Sequence, residues 1–425
     1  MKSRTRGAKL VALLLGLAIV SAACGSTSKG TTSTSAAKTN TSAAKESGPI
    51  KIGTAIDLSG PVAGTGKDAL AGMQFAVDAL NAAKGVLGRK VDFIVRDNQS
   101  LPQVAVEEAT QLVETDKVVA LMAPAGSAAS LAVSTQVSKP LKVPMFTHSS
   151  NDGALTVKQF QPYIFSLGPN ALMESNAQAK ALSSEKFVTY GLIAADYAGG
   201  HSNIDAFKAA LQKDNPNVKF TVELYPPLGE TDYTSYINRL LTAKPDFVFS
   251  VLYGGDLIAF TKQAKAVGFF DKIPFTSLYD STTLKALGAD APVGTRGYGR
   301  APFFAVKTPQ ADKFVQDFKA KTGNYPSDWT IMGYDALMTW DQGVEAAGTT
   351  NADALVAALE TTTIKTLRGD VLLRKVDHQA NVPEYYGTIT KPDPTYGGQP
   401  IWSNVHEIPG NAIIPSAAEV LKLRG

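Results

Sequence analysis

Two short loops rich in hydroxyl and amide side chains are the segments of this sequence best suited to hold a small molecule. The first contains Ser127 and follows the apolar run 118–122, and the second, 148–152, follows the apolar run 143–146. In a parallel sheet both loops open on the same edge, where ligands of open α/β proteins bind. Such side chains form hydrogen bonds without supplying the titratable groups that catalysis usually needs, so the pattern favours binding over catalysis.

Sites of other chemical kinds have little support in the sequence. The four histidines are scattered without metal-ligand spacing, the chain has one cysteine, and no Gly-x-Ser-x-Gly segment is present. The glycine-rich segment 60–68 fails as a phosphate loop because Asp68 stands where Ser or Thr must reach Mg²⁺. We therefore expect no catalytic residue, no metal and no cofactor, and we interpret segment 60–68 as the rim of a cleft.

Apolar periodicity predicts alternating strands and helices from Pro49 onward. Strands are expected at 50–56, 91–95, 118–122, 143–146, 163–167, 187–194, 218–224 and 246–251, and helices at 68–83, 102–115, 170–183, 202–211, 233–241 and 257–267. This alternation is typical of parallel sheets covered by helices. Because the second series of elements repeats the first, two α/β lobes placed side by side would form a cleft between them.

The last third of the chain is less regular. Helices are expected at 310–322, 330–347, 352–360 and 416–423, together with a strand pair at 370–373 and 385–390. We interpret Trp329 and Trp340 as packing residues of one helix, because buried tryptophans more often pack than stack on a ligand.

The first 23 residues have the pattern of a secretory signal peptide. Four basic residues precede an apolar stretch at 10–20, and three small residues, 21–23, precede Cys24. This apolar stretch is too short to span a bilayer as a mature helix. Removing residues 1–23 takes the formal net charge from +3 to −1, so no basic surface for nucleic acid is indicated.

Cys24 is the only cysteine, which excludes a disulfide within the chain. Its position after the small residues resembles a bacterial lipobox, which implies cleavage before Cys24 and diacylglycerol on its sulfur. Ordinary secretion with an incidental cysteine is the alternative. Residues 24–48 are rich in Ser, Thr, Ala and Lys and lack an apolar period, so we expect a flexible tether between a lipid anchor and the folded body.

The order of motifs after the tether resembles the type I periplasmic solute-binding proteins of the branched-chain amino acid group, the extracytoplasmic components of ABC importers. The matching segments are IKIGTAIDLSGPVAGTGKDALAGMQFAVDALN (50–81), VRDNQSLPQVAVEEATQLVETDKVVALMAP (95–124), TDYTSYINRLLTAKPDFVF (231–249), GYDALMTWDQGVEAAG (333–348) and RGDVLLRKVDHQANVPEYYGTI (368–389). Each segment alone is weakly specific, but the five in this order cover nearly the whole chain after the tether.

The resemblance implies an α/β protein with two Rossmann-like lobes and parallel sheets, joined by a hinge of three crossover strands. Lobe 1 would comprise residues 49–168 and 300–368, and lobe 2 would comprise residues 169–299 and 369–425. It also implies that the lobes close over a bound ligand like a Venus flytrap. A monomer is the expected oligomeric state.

The resemblance also assigns ligand-binding roles to residues of the first lobe. Ser127 matches the serine after the third strand, which together with the following helix N-terminus could hold an anionic group. Ser149, Ser150 and Asn151 match the next loop, where a hydroxyl and backbone amides hold the same group. The simpler alternatives are helix capping for Ser127 and a solvated loop for Ser149 and Asn151.

In the second lobe, Tyr197 and Tyr253 match aromatic residues that close over the ligand, with packing in the core as the alternative. Amino-acid binders of this family also place an acid beyond the strand at 273–275 to pair with the ligand amine. Here only Asp280 could serve, from a shifted position, and a plain surface role is its alternative. An uncharged amide, a carboxylate or an aromatic acid would not need that partner.

We therefore expect an exported, lipid-anchored protein of the cell envelope, in the periplasm or on the outer face of the cytoplasmic membrane. It would capture an amino acid, an amide or a small organic acid between its lobes and deliver it to ABC permease subunits, without catalysis. Two alternatives stay open. One is a ligand sensor for a signalling receptor, and the other is a secreted hydrolase, for which no nucleophile and base pair is visible.

Overall fold

The computed structural model of the protein describes residues 48–183 and 185–425. The predicted signal peptide, Cys24 and nearly all of the predicted tether lie outside these residues. The strands are β1 (Ile50–Ile56), β2 (Val91–Asp97), β3 (Leu121–Met122), β4 (Met145–Thr147), β5 (Ile164–Ser166), β6 (Thr189–Ile193), β7 (Lys219–Leu224), β8 (Phe247–Ser250), β9 (Phe275–Ser277), β10 (Arg296–Gly299), β11 (Ile364–Thr366), β12 (Gly369–Val371), β13 (Glu384–Ile389) and β14 (Trp402–Ile408). The helices are α1 (Ala63–Ala82), α2 (Pro102–Glu114), α3 (Ser127–Val133), α4 (Lys139–Leu141), α5 (Ala171–Leu182), α6 (Ala198–Asp214), α7 (Thr234–Ala243), α8 (Gly254–Ala266), α9 (Ser281–Leu287), α10 (Pro309–Thr322), α11 (Asp328–Ala347), α12 (Ala352–Leu359) and α13 (Ala417–Arg424).

The first sheet contains five parallel strands in the order β2-β1-β3-β4-β5. Nearly every residue of β1 is buried, as expected for an apolar run in a parallel sheet that is covered on both faces. The helix that precedes β2, α1, packs against α11, and α2 packs against α3. We call this part of the molecule, with α10 to α12, lobe 1.

The second sheet contains seven strands in the order β14-β13-β10-β9-β8-β6-β7. The strands from β6 to β10 run parallel to their neighbours, whereas β13 and β14 join the edge in antiparallel pairing. We call this part, with α5 to α9, lobe 2. The predicted fold class, an α/β protein with parallel sheets in two lobes, is confirmed.

The chain passes between the two sheets three times. It leaves the first sheet after β5, returns to lobe 1 after β10, and enters the second sheet again with β13. During its return, α10 packs on α1 through the ring of Phe75, whose centroid lies 5.3 Å from that of Phe314 and 5.6 Å from that of Phe318. The boundary residues predicted for the lobes, at 168, 299 and 368, stay predictions.

Two glycines allow α1 and α11 to approach each other closely. A Cβ on Gly72 would lie 1.9 Å from the carbonyl oxygen of Thr330, and a Cβ on Gly333 would lie 2.2 Å from that of Ala69. Each glycine therefore faces the backbone of the opposite helix. This contact fixes the start of α11, and with it Trp329, relative to the loop at the end of β1.

The structure differs from the sequence prediction at several places, and strand β10, strand β11 and helix α9 are among the elements that were not predicted. Helix α1 begins at Ala63, inside the segment interpreted as a glycine-rich rim. The predicted strand pair near 370 and 385 is wrong, because β12 turns back at Gly369 to pair with β11, and β13 instead joins β10 and β14. Strand β14 was not predicted, since only its end residues Trp402 and Ile408 are buried and its sequence carries no apolar alternation.

Among the residues that the structure describes, none of the helices has both the length and the hydropathy to cross a bilayer.

Replacing Gly72 by alanine should destabilise the protein, because the new Cβ would force α1 away from α11. Overpacking of this kind costs about 1–3 kcal/mol. Gly64→Ala is the matched control in the same helix, since a Cβ there meets nothing within 4 Å and alanine favours helix. Thermal melts followed by far-UV circular dichroism should show a lower Tm for Gly72→Ala alone. Equal Tm values for the two variants would contradict this account of the helix contact.

Candidate functional site

A cavity lies between the two lobes, at the edge where the polar loops of lobe 1 face the tyrosines of lobe 2. The space open to the centre of a water molecule is about 40 Å³, inside a gap of about 440 Å³ that includes solvent at its mouth. The lining residues are Val62, Thr65, Ala125, Gly126, Ser127, Ser149, Asn151 and Trp329 from lobe 1, and Glu174, Tyr197, Val251, Tyr253 and Leu278 from lobe 2, with Arg300 directly after β10. Both lobes therefore contribute to one enclosure.

The loop after β3 is held by a buried carboxylate at the end of β1. Asp57 Oδ2 accepts hydrogen bonds from the backbone amides of Ala125, at 2.7 Å, and Gly126, at 3.3 Å. Asn98 Nδ2 donates to the same oxygen at 3.2 Å. These two amides are thus occupied, and the open N-terminal amides of α3 are those of residues 127–129.

Ser127 is the first residue of α3, and Gly126 is its N-cap, so the helix-capping alternative for Ser127 is wrong. The Ser127 side chain connects the two polar loops, because its Oγ accepts a hydrogen bond from the backbone amide of Asn151 at 3.2 Å. Ser149 Oγ makes a second connection by donating to the Ala125 carbonyl oxygen at 3.1 Å. The two loops thus form one wall of the cavity.

The loop after β4 is buried, which excludes the alternative of a solvated loop. Asn151 Nδ2 donates to the Pro169 carbonyl oxygen at 3.1 Å and to Glu174 Oε2 at 3.2 Å, so this residue joins lobe 1 to the first crossover. Ser149 and Asn151 line the cavity. Ser150 is buried beside them, outside the set of lining residues, and its Oγ has no hydrogen-bond partner.

Tyr197 and Tyr253 form the opposite wall. They are the N-cap residues of α6 and α8, and their ring centroids lie 6.0 Å apart. Gly199 leaves room for the first ring, because a Cβ there would lie 2.6 Å from Tyr197 Cε2. Burial raises the pKa of Tyr197 well above its usual value, and burial together with the Asp256 carboxylate raises the pKa of Tyr253 to about 12. Both phenols are therefore neutral hydrogen-bonding groups at neutral pH.

A buried ion pair, which sequence reasoning missed, lies at the floor of the cavity. Arg300 Nε and Nη2 each lie 2.8 Å from Glu174 Oε2, and Arg300 Nη1 donates to the Ser149 carbonyl oxygen at 2.9 Å. Burial works against the Arg300 charge, but the Glu174 and Glu384 carboxylates outweigh it and raise the pKa of Arg300. The sequence could have indicated Arg300 as a site residue, because it is the only charged residue in the apolar segment 298–304. No sequence feature singles out Glu174.

Trp329 also lines the cavity, where its ring lies 5.4 Å from the Arg300 guanidinium carbon. The sequence interpretation of Trp329 as a packing residue is therefore incomplete. Trp340, on the same helix, is fully buried in the core.

Asp280 is placed differently from the other predicted site residues. It is the N-cap of α9, and its Oδ1 accepts a hydrogen bond from the Thr283 amide at 2.8 Å. It is buried, against the surface alternative, and burial together with the neighbouring Asp328 carboxylate raises the pKa of Asp280. The cavity is lined by Leu278 of the same loop and not by Asp280. A ligand role for Asp280 stays a prediction.

Within residues 48–183 and 185–425, no group of three or more His, Cys, Asp or Glu side chains is arranged to hold a metal ion. The cavity offers hydroxyls, amides, two phenols and one ion pair, a set suited to hydrogen-bonding a small polar molecule.

Comparison with known proteins gives a consistent result. The family model described as "Periplasmic binding protein" matches residues 49–393. A protein of Brucella abortus (strain 2308) named Leu/Ile/Val-binding protein homolog 4 is 24% identical over 361 residues, which cover 81% of this chain and 84% of that protein.

Solved structures share the fold. A solute-binding protein of an ABC transporter from Rhodopseudomonas palustris BisB5, in complex with 3,4-dihydroxybenzoic acid, aligns with a TM-score of 0.77 at 21% identity, covering 85% of this chain and 98% of that one. A leucine-binding protein from Thermotoga maritima aligns with a TM-score of 0.73 at 21% identity, covering 84% and 98% of the two chains.

One titratable residue in the loop after β4, His148, should make the stability of the protein depend on pH. His148 Nε2 lies 3.2 Å from the Ala123 carbonyl oxygen, and burial lowers the pKa of His148 to about 4. Because the unfolded chain, with a His pKa of about 6.5, takes up the proton first, stability should fall as pH drops from 6.5 to 4. The loss is about 1.4 kcal/mol per pH unit from this residue.

The measurement compares Tm between pH 7 and pH 4.5 for the wild type and His148→Gln, which retains a donor but does not titrate. Other titrating groups contribute equally to both proteins, so the difference in slope reports His148. The wild type should lose more stability on acidification than the variant. Parallel pH profiles would show that His148 is not held neutral in the fold.

Proposed function

Because this chain belongs to the periplasmic binding protein family, we propose that it captures a small polar organic solute in the cleft between its lobes and delivers it to a membrane permease. Proteins of this type serve ABC transporters. The observation that carries the proposal is the cavity itself, whose lining comes from loops of both lobes.

The arrangement of the cavity supports a mechanism of capture by closure. A ligand shifts a protein toward a closed state only if it binds that state more tightly, and contacts from both lobes supply this difference in affinity. Ser127 and Ser149 on one side, and Tyr197 and Tyr253 on the other, would make such bridging contacts. The hydrogen bond of 2.8 Å from Thr282 Oγ1 on α9 to Asp68 Oδ2 on α1 links the two lobes.

The polar groups of the cavity favour an amino acid, an amide or a small organic acid as the solute. Ser127 and the amides of residues 127–129 would hold a carboxylate, and the aromatic wall would cover an apolar body. The names of the compared proteins agree with this range, since one is named for leucine, isoleucine and valine and another was solved with an aromatic acid.

We propose binding without a chemical step. Ser149 Oγ donates to a backbone carbonyl instead of facing a base, and the charged side chains Glu174 and Arg300 are paired with each other. None of these arrangements activates a nucleophile. Release of an unchanged solute to a permease is the function that such a site supports best.

The solute range is tested by thermal shift and calorimetry on the purified protein with amino acids, amides, and aliphatic and aromatic acids. At least one compound should raise Tm, because ligands that bind only the folded state stabilise it by mass action. Tyr253→Ala should weaken its binding about tenfold or more, corresponding to about 1.4 kcal/mol. Tyr236→Ala, a partly buried residue of the same lobe outside the cavity lining, should bind as the wild type does.

Two results would contradict the proposal. If no compound of these classes raises Tm, the solute class is wrong. If Tyr253→Ala and Tyr236→Ala bind equally well, the solute does not occupy this cavity.

We also propose that Cys24 carries a lipid and that residues 24–48 tether the folded body to the membrane. The support is the small-residue pattern before Cys24 after an apolar signal segment. In cells, the wild type should incorporate labelled palmitate and sediment with membranes, whereas Cys24→Ser should do neither. Equal sedimentation of the two proteins without labelling would refute the lipid anchor and leave ordinary secretion.

A further inference from the structure

The two oxygens of the Glu174 carboxylate differ in their hydrogen bonding. Its Oε2 accepts two hydrogen bonds, from Arg300 Nε at 2.8 Å and from Asn151 Nδ2 at 3.2 Å, and Arg300 Nη2 lies 2.8 Å from the same oxygen in the ion pair. Its Oε1 is buried and has no partner. Among the described residues that line the cavity, this oxygen is the only buried side-chain polar atom left without a hydrogen bond.

The contacts around Glu174 hold its carboxylate in this orientation. The residue lies in the first turn of α5, whose N-terminus is capped by Asn170 Oδ1 accepting from the Met173 amide at 3.0 Å. Arg300 cannot turn toward Oε1 without giving up its bond to the Ser149 carbonyl oxygen. The Glu174 carboxylate is therefore held with Oε2 hydrogen-bonded and Oε1 without a donor.

A buried acceptor without a partner carries a free-energy cost that a bound molecule with a donor would remove. Ser127, Ser149 and Asn151 already bond to one another or to the backbone. A solute that carries a donor can supply the hydrogen bond that Oε1 lacks.

We propose that Glu174 Oε1 accepts a hydrogen bond from the solute, and that the cavity selects solutes carrying an ammonium, amide N–H or hydroxyl donor. This inference rests on the proposed solute-binding function and narrows its ligand class. The sequence resemblance expects an acid near 277–280 to pair with the ligand amine, but Asp280 caps α9. In this proposal Glu174, in the first turn of α5, takes that role.

A site built around a buried acceptor discriminates against the analogue that lacks the donor, because binding that analogue leaves the acceptor unpaired. Solutes that match in their acid group and apolar body should therefore differ in affinity according to the donor alone. Unsubstituted aliphatic and aromatic acids should be the weaker members of each pair.

The experiment measures Kd by calorimetry on the full-length wild-type protein for matched pairs: leucine against 4-methylpentanoate, and 3,4-dihydroxybenzoate against benzoate. In the pair that binds, the donor-bearing member should bind at least about tenfold more tightly. Equal affinities within that pair would overturn this inference and leave the proposed function standing. No binding by any of the four compounds or by the amides of the wider panel would overturn the proposed solute class and this inference together.

Variants give a second readout. Glu174→Gln should reduce the preference for the donor-bearing member within a pair, because an amide is a weaker acceptor than a carboxylate. Gln178→Met is the matched control, one turn further along α5, where a buried side chain without partners lies outside the cavity lining. It should keep the wild-type preference. If Glu174→Gln folds and keeps the same preference, Glu174 does not contact the solute, and if it does not fold, the wild-type pairs decide.

Discussion

The Arg300 guanidinium is the group on which the geometry of the cleft depends. It follows β10, where the chain passes from lobe 2 back to lobe 1, and it binds the Glu174 carboxylate of α5 and the Ser149 carbonyl of the loop after β4. A charge buried this deeply must be paired, since removing one partner of a buried ion pair typically costs about 3–5 kcal/mol. One side chain thus fixes a crossover, a helix of lobe 2 and a loop of lobe 1 around the same cavity.

A second buried arginine acts at the other crossovers. Arg368 Nε lies 2.9 Å from Asp335 Oδ2 on α11, and its Nη2 donates to the Leu167 carbonyl oxygen at 2.7 Å. Breaking the ion pairs of the two arginines would leave uncompensated charges in the interior. Breaking the half-buried hydrogen bond between Thr282 and Asp68 would expose groups that water can solvate. Opening of the cleft should therefore separate α9 from α1 while the arginine pairs persist.

Much of the fold could be predicted from the sequence, because local apolar patterns determine where strands and helices form. Strand β1 and helix α2, which starts at Pro102, are examples. The site could be predicted only in part, since its character depends on contacts between distant segments: Glu174 and Arg300 are 126 residues apart. Trp329 lines the cavity only because Gly72 and Gly333 bring α11 against α1.

Family membership determines the fold of this chain more firmly than it determines which ligand the chain binds. The polar atoms of the cavity come from loops and first helical turns, which can change without altering either sheet. In this chain Asp57 occupies the amides of Ala125 and Gly126, which would otherwise be available to an anion. Among the described residues, the carboxylate that lines the cavity comes from α5 and not from the loop after β9. Arg300 contacts only one oxygen of Glu174 and the other stays buried without a partner, so the hydrogen-bonding capacity of this part of the cavity depends on the geometry of a single ion pair.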